Sequence, residues 1–424
     1  MPPLTIRFIL MNAFSVGGTI RTTLTTAGEL AARHDVEVVS LYRRRTDPAL
    51  PIPPGVRLRS LTDLREETLE RLGGRHGVGA RVRLGLAGRR TRLMSTSDFR
   101  WPNFNLLTDV NLYRYLASVH DGVVIGTRPS VNLAVAHLTA PAVVRVGQDH
   151  MNLATYNDGL KAQIRAVYPK LDLVSTLTEG DAVDYRRHLR GRTRVECMPN
   201  GVGDVGGRRA PLDSKVVVAA GRLSRQKGFD RLLKAWAKVA GDHPDWELRI
   251  FGEGHKGPRL RQWIADLGIG GSARLMGFTP RLDEELAAGS LFVMSSRREG
   301  FPMVLLEAMA VGLPVISFDC PTGPRDIIRE GVDGHLVRDG DIDALAAAMS
   351  GLMRDEARRR TYGAAAVEVA QRYSIDRIAR RWETLLAEAA EAKEHGAATT
   401  VIGPTVSLAR EFAKRGAKQL AAGR

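Results

Sequence analysis

The sequence predicts an α/β protein built from two doubly wound, Rossmann-like domains that face each other across a cleft. Two observations support this fold class. Short apolar runs that suit buried strands alternate with stretches of helical periodicity, which is the pattern of a parallel sheet covered by helices on both faces. The chain of 424 residues is also long enough for two or three domains of ordinary size.

The C-terminal half shows this alternation most regularly. Apolar residues at helical spacing predict a helix from Phe229, and Gly241 with Pro244 predicts where that helix ends. A second helix is predicted from Pro258. The predicted buried strands of this half are Val216 to Ala220, Glu247 to Phe251, Leu291 to Met294 and Pro314 to Ser317.

The N-terminal half shows the same alternation of strands and helices, but less regularly. The glycine-rich stretch Gly201 to Gly207 is predicted to be the hinge between the halves. The predicted domains are residues 1–202 and 203–373. A helix over 374–395 is expected to return to the N-terminal domain, followed by a basic tail at 396–424. The predicted N-terminal elements are the strands Ile6 to Leu10, Val36 to Leu41, Val123 to Gly126 and Val143 to Gly147, and a helix from about Thr19 to Ala32.

Composition and charge narrow the class of protein. With 44% hydrophobic and 26% charged residues, the chain is typical of a globular protein rather than a disordered or fibrous one. Its 62 Lys and Arg exceed its 47 Asp and Glu by 15, which indicates an anionic partner: a nucleotide, a nucleic acid, a phospholipid surface or an anionic polymer. The cysteines Cys197 and Cys320 lack metal-ligand spacing, so a Cys-based zinc site is not expected.

No segment of the sequence predicts a membrane span or a secretory leader. The longest apolar stretch, Phe301 to Ile316, is interrupted by Glu307 and Pro314 and is too short to cross a bilayer. The run Leu4 to Asn12 lacks a basic head and a long apolar core. We therefore expect a cytoplasmic protein with peripheral contact at the inner face of the membrane.

A basic loop, Gly221 to Gly228, follows a predicted strand and opens a helix. Arg222 and Lys227 converge there with a helix N-terminus, an arrangement that suits a diphosphate because Arg can bridge two oxygens while Lys supplies a point charge. A solvated basic turn is the alternative interpretation of the same residues.

Two glutamates in the segment Glu299 to Glu307 give a sharper signal. Pro302 suits the first helical position, so Glu299 is predicted in the preceding loop and Glu307 inside an apolar helix. A carboxylate in the middle of such a helix needs a partner, and we expect the two carboxylates to serve different parts of a ligand. A buried structural ion pair is the alternative for Glu307.

Taken together, these motifs resemble those of the retaining GT-B glycosyltransferases of family 4, and in particular the teichoic-acid and poly(glycerol-phosphate) glucosyltransferases and related cell-envelope enzymes. The likeness covers about Pro199 to Met353 and is diffuse before that. The segments that carry it are Gly221–Arg222 with Lys227–Gly228, Glu299 to Glu307, Ala308 to Ile316, Pro199 to Val202 and Gly331 to Gly334.

The resemblance implies a role for each matching residue. Arg222 and Lys227 would hold the nucleotide diphosphate, Glu307 the ribose hydroxyls and Glu299 the hydroxyls of the donor sugar. The backbone N–H groups in the segment Gly300 to Met303 would face the sugar and phosphate; Pro302 in that segment has no N–H. Gly17–Gly18 would approach the diphosphate from the other domain, and His150 resembles the acceptor-side histidine, with a structural histidine as the alternative. The site residues are therefore Gly18, His150, Arg222, Lys227, Glu299, Gly300, Phe301, Pro302, Met303 and Glu307.

The sequence departs from the family pattern at two positions. Pro302 stands where many relatives have glycine, and Asp326 stands where many have glutamate. Because of the first departure, the motif does not identify the donor sugar.

Two further motifs are given other interpretations. The acids Asp339 to Asp343 superficially match a metal-binding Asp-x-Asp, but we expect them to cap the helix from Ala344, and no metal ion or cofactor is predicted. Gly252 to Gly257 matches a dinucleotide-binding glycine pattern without the acidic residue that ribose recognition needs. A turn facing the nucleotide in the cleft is the better interpretation.

We therefore expect a metal-independent enzyme that moves a hexose from a nucleotide sugar, a UDP-sugar, to an acceptor hydroxyl with retention of configuration. The expected acceptor is an anionic cell-envelope polymer or a lipid-linked glycan. Alternatives are an epimerase or phosphorylase of similar fold and a basic nucleic-acid-binding protein, although the charges are dispersed and no base-stacking aromatic array accompanies them.

The segment Arg65 to Arg92 is the candidate for binding the acceptor or an anionic membrane. It holds eight arginines and interrupts the regular alternation of the N-terminal half. A solvated loop is the alternative interpretation.

Overall fold

A computed structural model describes residues 2–73 and 77–397, and the prediction of two Rossmann-like domains is confirmed. The N-terminal sheet has seven parallel strands in the order β3-β2-β1-β4-β5-β6-β7. These strands are β1 (Thr5–Leu10), β2 (Asp35–Ser40), β3 (Val56–Ser60), β4 (Val123–Gly126), β5 (Val144–Gln148), β6 (Leu173–Thr176) and β7 (Arg194–Cys197).

Helices on both faces cover this sheet and complete its core. Crossover helices are expected here because parallel neighbours cannot be joined by a tight turn. They are α1 (Gly18–Ala31), α2 (Glu66–Gly73), α3 (Val78–Ala87), α4 (Leu106–Ala117), α5 (Pro129–Leu138), α6 (Asp158–Val167) and α7 (Glu179–Leu189).

The C-terminal sheet has six parallel strands in the order β10-β9-β8-β11-β12-β13. Its strands are β8 (Val216–Ala220), β9 (Glu247–Phe251), β10 (Ala273–Gly277), β11 (Leu291–Met294), β12 (Val315–Phe318) and β13 (Gly334–Val337). Its helices are α8 (Phe229–Val239), α9 (Gly257–Asp266), α10 (Leu282–Ala287), α11 (Met303–Ala310), α12 (Pro324–Ile327), α13 (Ile342–Arg354) and α14 (Glu356–Arg372).

The chain passes between the domains twice, at adjacent points. The N–H of Val202 donates to the carbonyl of Tyr373, and the N–H of Ile375 donates to the carbonyl of Val202. The final described helix, α15 (Ile375–Ala397), packs on α1 and buries Trp382 in the core of the N-terminal sheet. The helix predicted to return to the N-terminal domain therefore lies against that domain, while the domain limits themselves stay predictions.

Several elements differ from their sequence-based prediction. Five short strands were not predicted: β3, β6, β7, β10 and β13. The helix α11 begins at Met303, so Pro302 is the residue before the helix rather than its first. The Arg-rich segment contains α2 and α3 rather than an irregular loop, and Arg75 lies outside the described residues. Residues 398–424 of the predicted basic tail also lie outside them.

Candidate active site

The candidate site lies where loops from the carboxyl ends of both sheets come together. In a doubly wound domain, ligands bind at this edge, near the point where the strand order reverses. That point lies between β1 and β4 in one domain and between β8 and β11 in the other. The loops that carry the predicted residues follow β1, β5, β8 and β11.

At Gly300 the backbones of the two domains come into close contact. A Cβ atom built on Gly300 would lie 2.4 Å from the carbonyl oxygen of His150, a distance that only glycine allows. The loop after β11 therefore rests directly on the loop after β5. Asp181 adds a contact nearby, since the hydroxyl of Thr322 lies 3.4 Å from its carboxylate.

Lys227 and Glu299 form an ion pair at the carboxyl end of the C-terminal sheet. The Nζ of Lys227 lies 2.7 Å from Oε1 of Glu299, and the hydroxyl of Ser296 donates to the same oxygen at 2.5 Å. Only 8% of the Glu299 side chain is exposed. Among the described residues nothing donates to Oε2 of Glu299, so this oxygen is open to a ligand hydroxyl.

Arg222 and Lys227 both lie in the loop after β8, and the Lys227 side chain packs against Gly221. A Cβ on Gly221 would lie 3.2 Å from Cε of Lys227, so the lysine stem folds across the residue that precedes Arg222. The Arg222 side chain is exposed. Within the described residues it has no carboxylate partner, which leaves its fork of donors available to an anion.

The glycine pattern after β9 is explained by packing. Gly252 has φ +130°, and a Cβ there would lie 2.1 Å from the carbonyl oxygen of Gly221. Gly254 approaches the carbonyl of Leu223 in the same way. These glycines allow the backbone after β9 to pack directly against the backbone of the basic loop, at points where a side chain would not fit.

Glu307 is paired across the two domains. Its Oε1 lies 3.1 Å from Nη1 of Arg21 on α1, and the side chains are 22% and 48% exposed. The ion pair that was the alternative interpretation is present, but it is not buried. The second carboxylate oxygen of Glu307 remains unpaired within the described residues.

At the start of α11, the groups available to a ligand belong to the backbone rather than to side chains. The Phe301 ring is buried and packs edge-on against Tyr373 at 5.4 Å, so its side chain belongs to the core. The N-cap residue of α11 is Pro302, whose side chain cannot accept a hydrogen bond. The N–H groups in the first turn of α11 therefore have no side-chain cap. Gly18 opens α1 on the opposite side, and no atom lies within 4 Å of a Cβ built there.

His150 follows β5, and its backbone carbonyl lies against Gly300 of the other domain. Its Nε2 is buried and has no hydrogen-bond partner among the described residues. Burial lowers the pKa of the imidazole to about 4, so the ring is neutral near neutral pH. A neutral ring with an unused nitrogen can exchange a hydrogen bond with a ligand hydroxyl.

The neighbouring Asp149 was not singled out by the sequence. Its carboxylate accepts hydrogen bonds from the hydroxyls of Tyr168 and Tyr185 and from the amide of Asn132. Desolvation raises the pKa of Asp149 to about 7 despite these donors. This buried network fixes the backbone on which His150 is carried.

The acids at 339–343 lie at the start of α13, as predicted. Asp341 caps the helix by accepting from the N–H of Ala344 at 2.9 Å. Asp339 pairs with Arg231, and Asp343 pairs with Lys238. Within residues 2–73 and 77–397, no group of three His, Cys, Asp or Glu has the arrangement of a metal site.

The Arg-rich segment forms a surface feature beside the N-terminal sheet. Arg65 is neutralised by Asp63 and Glu67, whereas Arg81 and Arg83 on α3 are exposed. Val78 and Val82 on the same helix are 78% and 53% exposed. In the part of the chain that the structure describes, no helix is both long and apolar enough to span a bilayer.

Arg21 is the main site residue that the sequence analysis missed. A cation near the start of a helix opposes the helix dipole, so a nearby anion is needed to compensate it. That mismatch, three residues after Gly18, is the signal that could have identified Arg21. Its partner could not be found in this way, because Glu307 is 286 residues away.

Comparison with known proteins places a family match on the C-terminal domain. Residues 207–369 match the family model of glycosyl transferases group 1. This segment covers most of the C-terminal domain, including the basic loop and both glutamates of the motif. The match therefore falls on the part of the chain that carries Arg222, Lys227, Glu299 and Glu307.

Curated relatives extend the likeness into the N-terminal domain. An exopolysaccharide phosphotransferase of Streptomyces coelicolor is 36% identical over 386 residues, which is 90% of this chain and 40% of the relative. A poly(glycerol-phosphate) alpha-glucosyltransferase of Bacillus subtilis is 25% identical over 240 residues, 55% of this chain and 36% of that protein. The chain thus spans well under half the length of these two relatives.

Solved structures share the whole architecture. S. aureus TarM, solved with fondaparinux, alpha-GlcNAc-glycerol and UDP, superposes with a TM-score of 0.71 at 15% identity and covers 90% of this chain and 99% of its own. Anabaena HepE, solved with UDP-glucose, gives 0.66 at 18% identity, covering 91% of this chain and 100% of its own. The two domains therefore have the GT-B fold.

Proposed function

We propose that this protein is a retaining glycosyltransferase of family 4 that transfers a hexose from a UDP-sugar to an acceptor hydroxyl. The observation that carries the proposal is the pair formed by Lys227 and Glu299, with a carboxylate oxygen left open in the cleft. The family match over residues 207–369 and the UDP bound in structures of the same fold support the donor class.

The C-terminal domain would bind the donor. Arg222 and Lys227 hold the diphosphate, and the N–H groups at the start of α11 add the positive end of a helix dipole. Oε2 of Glu299 accepts from a hydroxyl of the hexose, and Glu307 accepts from the ribose. These groups meet the charge that develops as the diphosphate leaves, so no metal ion or cofactor is needed.

The transfer step breaks the bond between the anomeric carbon and the diphosphate oxygen. The acceptor oxygen bonds to the same carbon on the same face, and its proton passes to the leaving phosphate oxygen. His150 is neutral and contacts the reacting sugar from the acceptor side through Nε2. Gly18 allows the α1 backbone to approach the diphosphate from the N-terminal domain.

The acceptor would be an anionic cell-envelope polymer or a lipid-linked glycan, bound by the N-terminal domain. Support comes from the net charge of +15 and from the relative that is named for poly(glycerol-phosphate). We place the protein in the cytoplasm, in peripheral contact with the inner face of the membrane through the exposed arginines and valines of α3.

A donor screen tests this function. UDP-, GDP- and ADP-sugars are incubated with the full chain, and hydrolysis and transfer to envelope extracts are measured by mass spectrometry. A gain of one hexose with the donor's anomeric configuration supports the proposal. Transfer of a phosphate-containing group would instead agree with the name of the Streptomyces relative, an exopolysaccharide phosphotransferase. Conversion of a UDP-sugar without any acceptor would identify an epimerase.

The nucleic-acid alternative predicts a different outcome. Such a protein would bind heparin and nucleic acid but would gain no thermal stability from UDP. Protection by UDP follows from binding to the folded state and grows with ligand concentration. Its absence at saturating UDP, with retention on heparin, would favour that alternative.

A further inference from the structure

The N-terminal wall of the cleft carries a cluster of three arginines and two aromatic rings that the donor site does not use. We call it the Arg44 cluster: Tyr42, Arg44, Phe99, Arg100 and Arg128. Its members come from three separate loops, after β2, before α4 and after β4. These loops lie beside the switch point between β1 and β4, the same sheet edge that carries Gly18 and His150.

The guanidinium groups converge on the two rings. The Cζ atoms of Arg100 and Arg128 lie 5.1 and 5.7 Å from the centre of the Phe99 ring. Arg44 lies over Tyr42, with its Cζ 5.6 Å from the ring centre. Burial raises the pKa of Tyr42, and the positive charges of Arg44, Arg128 and Arg100 act against this rise.

The positive charge of the cluster is only partly balanced. Arg128 is held by two bonds to Asp98, which is 2% exposed. Arg44 and Arg100 are exposed, and within residues 2–73 and 77–397 neither has a carboxylate at ion-pair distance. Like charges gathered on one wall repel each other unless an anion joins them, so the arrangement favours an anionic ligand.

Phe99 gives the cluster an apolar face between its charges. Phe99 is 63% exposed although two arginines lie over its ring. An exposed aromatic face can stack on the apolar face of a sugar or polyol, while guanidinium groups bind phosphate oxygens in pairs. This combination matches a ligand with a phosphodiester next to a carbohydrate.

Room for a longer ligand lies alongside. A groove of about 440 Å³ adjoins Arg44 and is also lined by Arg45 and Thr46. Arg65 and the acids Glu66, Glu67 and Glu70 line the same groove.

We propose that the Arg44 cluster is the acceptor subsite and that it binds a phosphodiester-linked glycan or polyol. This inference rests on the proposed function, because it assigns the ligand to the acceptor side of the same cleft. Arg44 and Arg100 bind the phosphate, Phe99 stacks on the neighbouring sugar or polyol, and Asp98 holds Arg128 in position beneath them.

Direct binding tests the subsite. Poly(glycerol phosphate) is titrated into the full chain by calorimetry at low and at physiological salt, with neutral dextran as the uncharged comparison. The variants are Arg44→Gln/Arg100→Gln and Phe99→Ala. The control Arg187→Gln/Arg281→Gln removes the same charge from positions that are 78% and 74% exposed elsewhere. Arg128 is kept because its loss would leave Asp98 buried without a cation.

We expect the arginine double variant to weaken polymer binding at least tenfold, on the order of 1.4 kcal/mol, and to reduce its salt dependence. Phe99→Ala weakens binding but keeps the salt dependence, since no charge is lost. The control variant and the parent bind alike. Equal affinity of the double variant and the parent, or an equal loss in the control, would overturn the subsite.

UDP binding is measured in each variant to separate the two proposals. Unchanged UDP affinity with weakened polymer binding supports the subsite. If the parent does not bind UDP, the proposed function fails, while the polymer titration still decides whether the cluster binds phosphodiesters. If UDP binds and the polymer does not bind the parent, the acceptor inference alone is wrong.

Discussion

Nη1 of Arg21 lies 3.1 Å from Oε1 of Glu307, which joins α1 of one domain to α11 of the other. In the proposed function the same carboxylate binds the ribose of the donor, so the ion pair and the nucleotide share one side chain. A partly exposed pair of this kind contributes about 0–1 kcal/mol. A charged hydrogen bond to a ligand contributes about 1.5–3 kcal/mol.

Glu307→Gln is therefore expected to weaken UDP binding by tenfold or more, and Arg21→Met by less than about fivefold. The double variant should resemble Glu307→Gln alone. Calorimetry with UDP on folded variants measures all three affinities. Equal losses in the two single variants would show that Glu307 acts through the ion pair rather than through the ribose.

Removal of Arg222 tests the charge on the diphosphate. Arg222→Ala should lower turnover by about 10²-fold, because the donor is lost where charge grows in the transition state. Its melting temperature should stay near that of the parent, since the side chain is exposed. Lys234→Ala, at an exposed position on α8, is the matched control and should keep full turnover.

Lys227 needs a different design because it also balances Glu299. Lys227→Ala should lower both turnover and melting temperature, since it leaves an 8% exposed carboxylate without its cation. Lys227→Ala/Glu299→Gln should recover melting temperature but not turnover. Recovery of turnover in the double variant would mean that the lysine only neutralises Glu299.

Chelation tests whether the reaction needs a metal ion. EDTA should leave turnover unchanged, and Asp341→Ala should lower the free energy of unfolding by about 1 kcal/mol through loss of the helix cap, with turnover retained. If EDTA abolished activity and magnesium or manganese restored it, the metal-independent mechanism would be wrong. Asp339 and Asp343 would then be the candidate metal ligands.

The pH dependence of stability should carry two opposite contributions from adjacent residues. The folded protein keeps Asp149 protonated up to its pKa of about 7, against about 3.9 when unfolded, so its contribution to stability is fully present below about pH 4 and is lost as pH rises from about 4 to 7. The pKa of His150 is about 4 when folded, against about 6.5 when unfolded, so its contribution is lost as pH falls from about 6.5 towards 4.

Asp149→Asn should therefore make the free energy of unfolding rise more steeply with pH between about 4 and 7, and His150→Gln should make it rise less steeply. Urea unfolding at a series of pH values measures both slopes. Asp47→Asn, at an exposed position, is the control for loss of a carboxyl group. Slopes that change in the same direction would contradict this assignment.

Membrane contact through the Arg-rich segment is tested with vesicles. Replacing Arg81, Arg83, Arg89 and Arg90 with Gln should reduce sedimentation with anionic vesicles and should flatten its salt dependence, because exposed charges are screened within about 8 Å at physiological ionic strength. Donor hydrolysis should be unchanged. Equal sedimentation of parent and variant at low and high salt would leave the segment as a solvated surface.

Prediction from the sequence succeeded where a local pattern was sufficient. The strand Val216–Ala220 is apolar and buried throughout, and the structure reproduces its bounds. By contrast, β3 alternates arginine with apolar residues at the sheet edge, and β6 consists of two apolar residues followed by Ser175 and Thr176. Neither strand forms the continuous apolar run that identified the buried strands.

The same limit applies to the site. The basic loop and the two glutamates form continuous motifs, so the positions of Lys227 and Glu299 in loops after strands and of Glu307 inside a helix could be predicted. The Arg44 cluster joins three distant loops, and the contact of Arg21 with Glu307 depends on how two domains face each other. Such contacts are set by packing of whole sheets, which periodicity and spacing do not encode.

The position of α15 has a consequence for the order in which the chain can fold on the ribosome. Ile378, Trp382 and Leu386 fill the core of the N-terminal domain, yet they are synthesised after the entire C-terminal domain. The C-terminal sheet is continuous in sequence and can close as soon as it emerges. The N-terminal sheet emerges first but keeps an open apolar face until α15 arrives, so the domain that begins first is completed last.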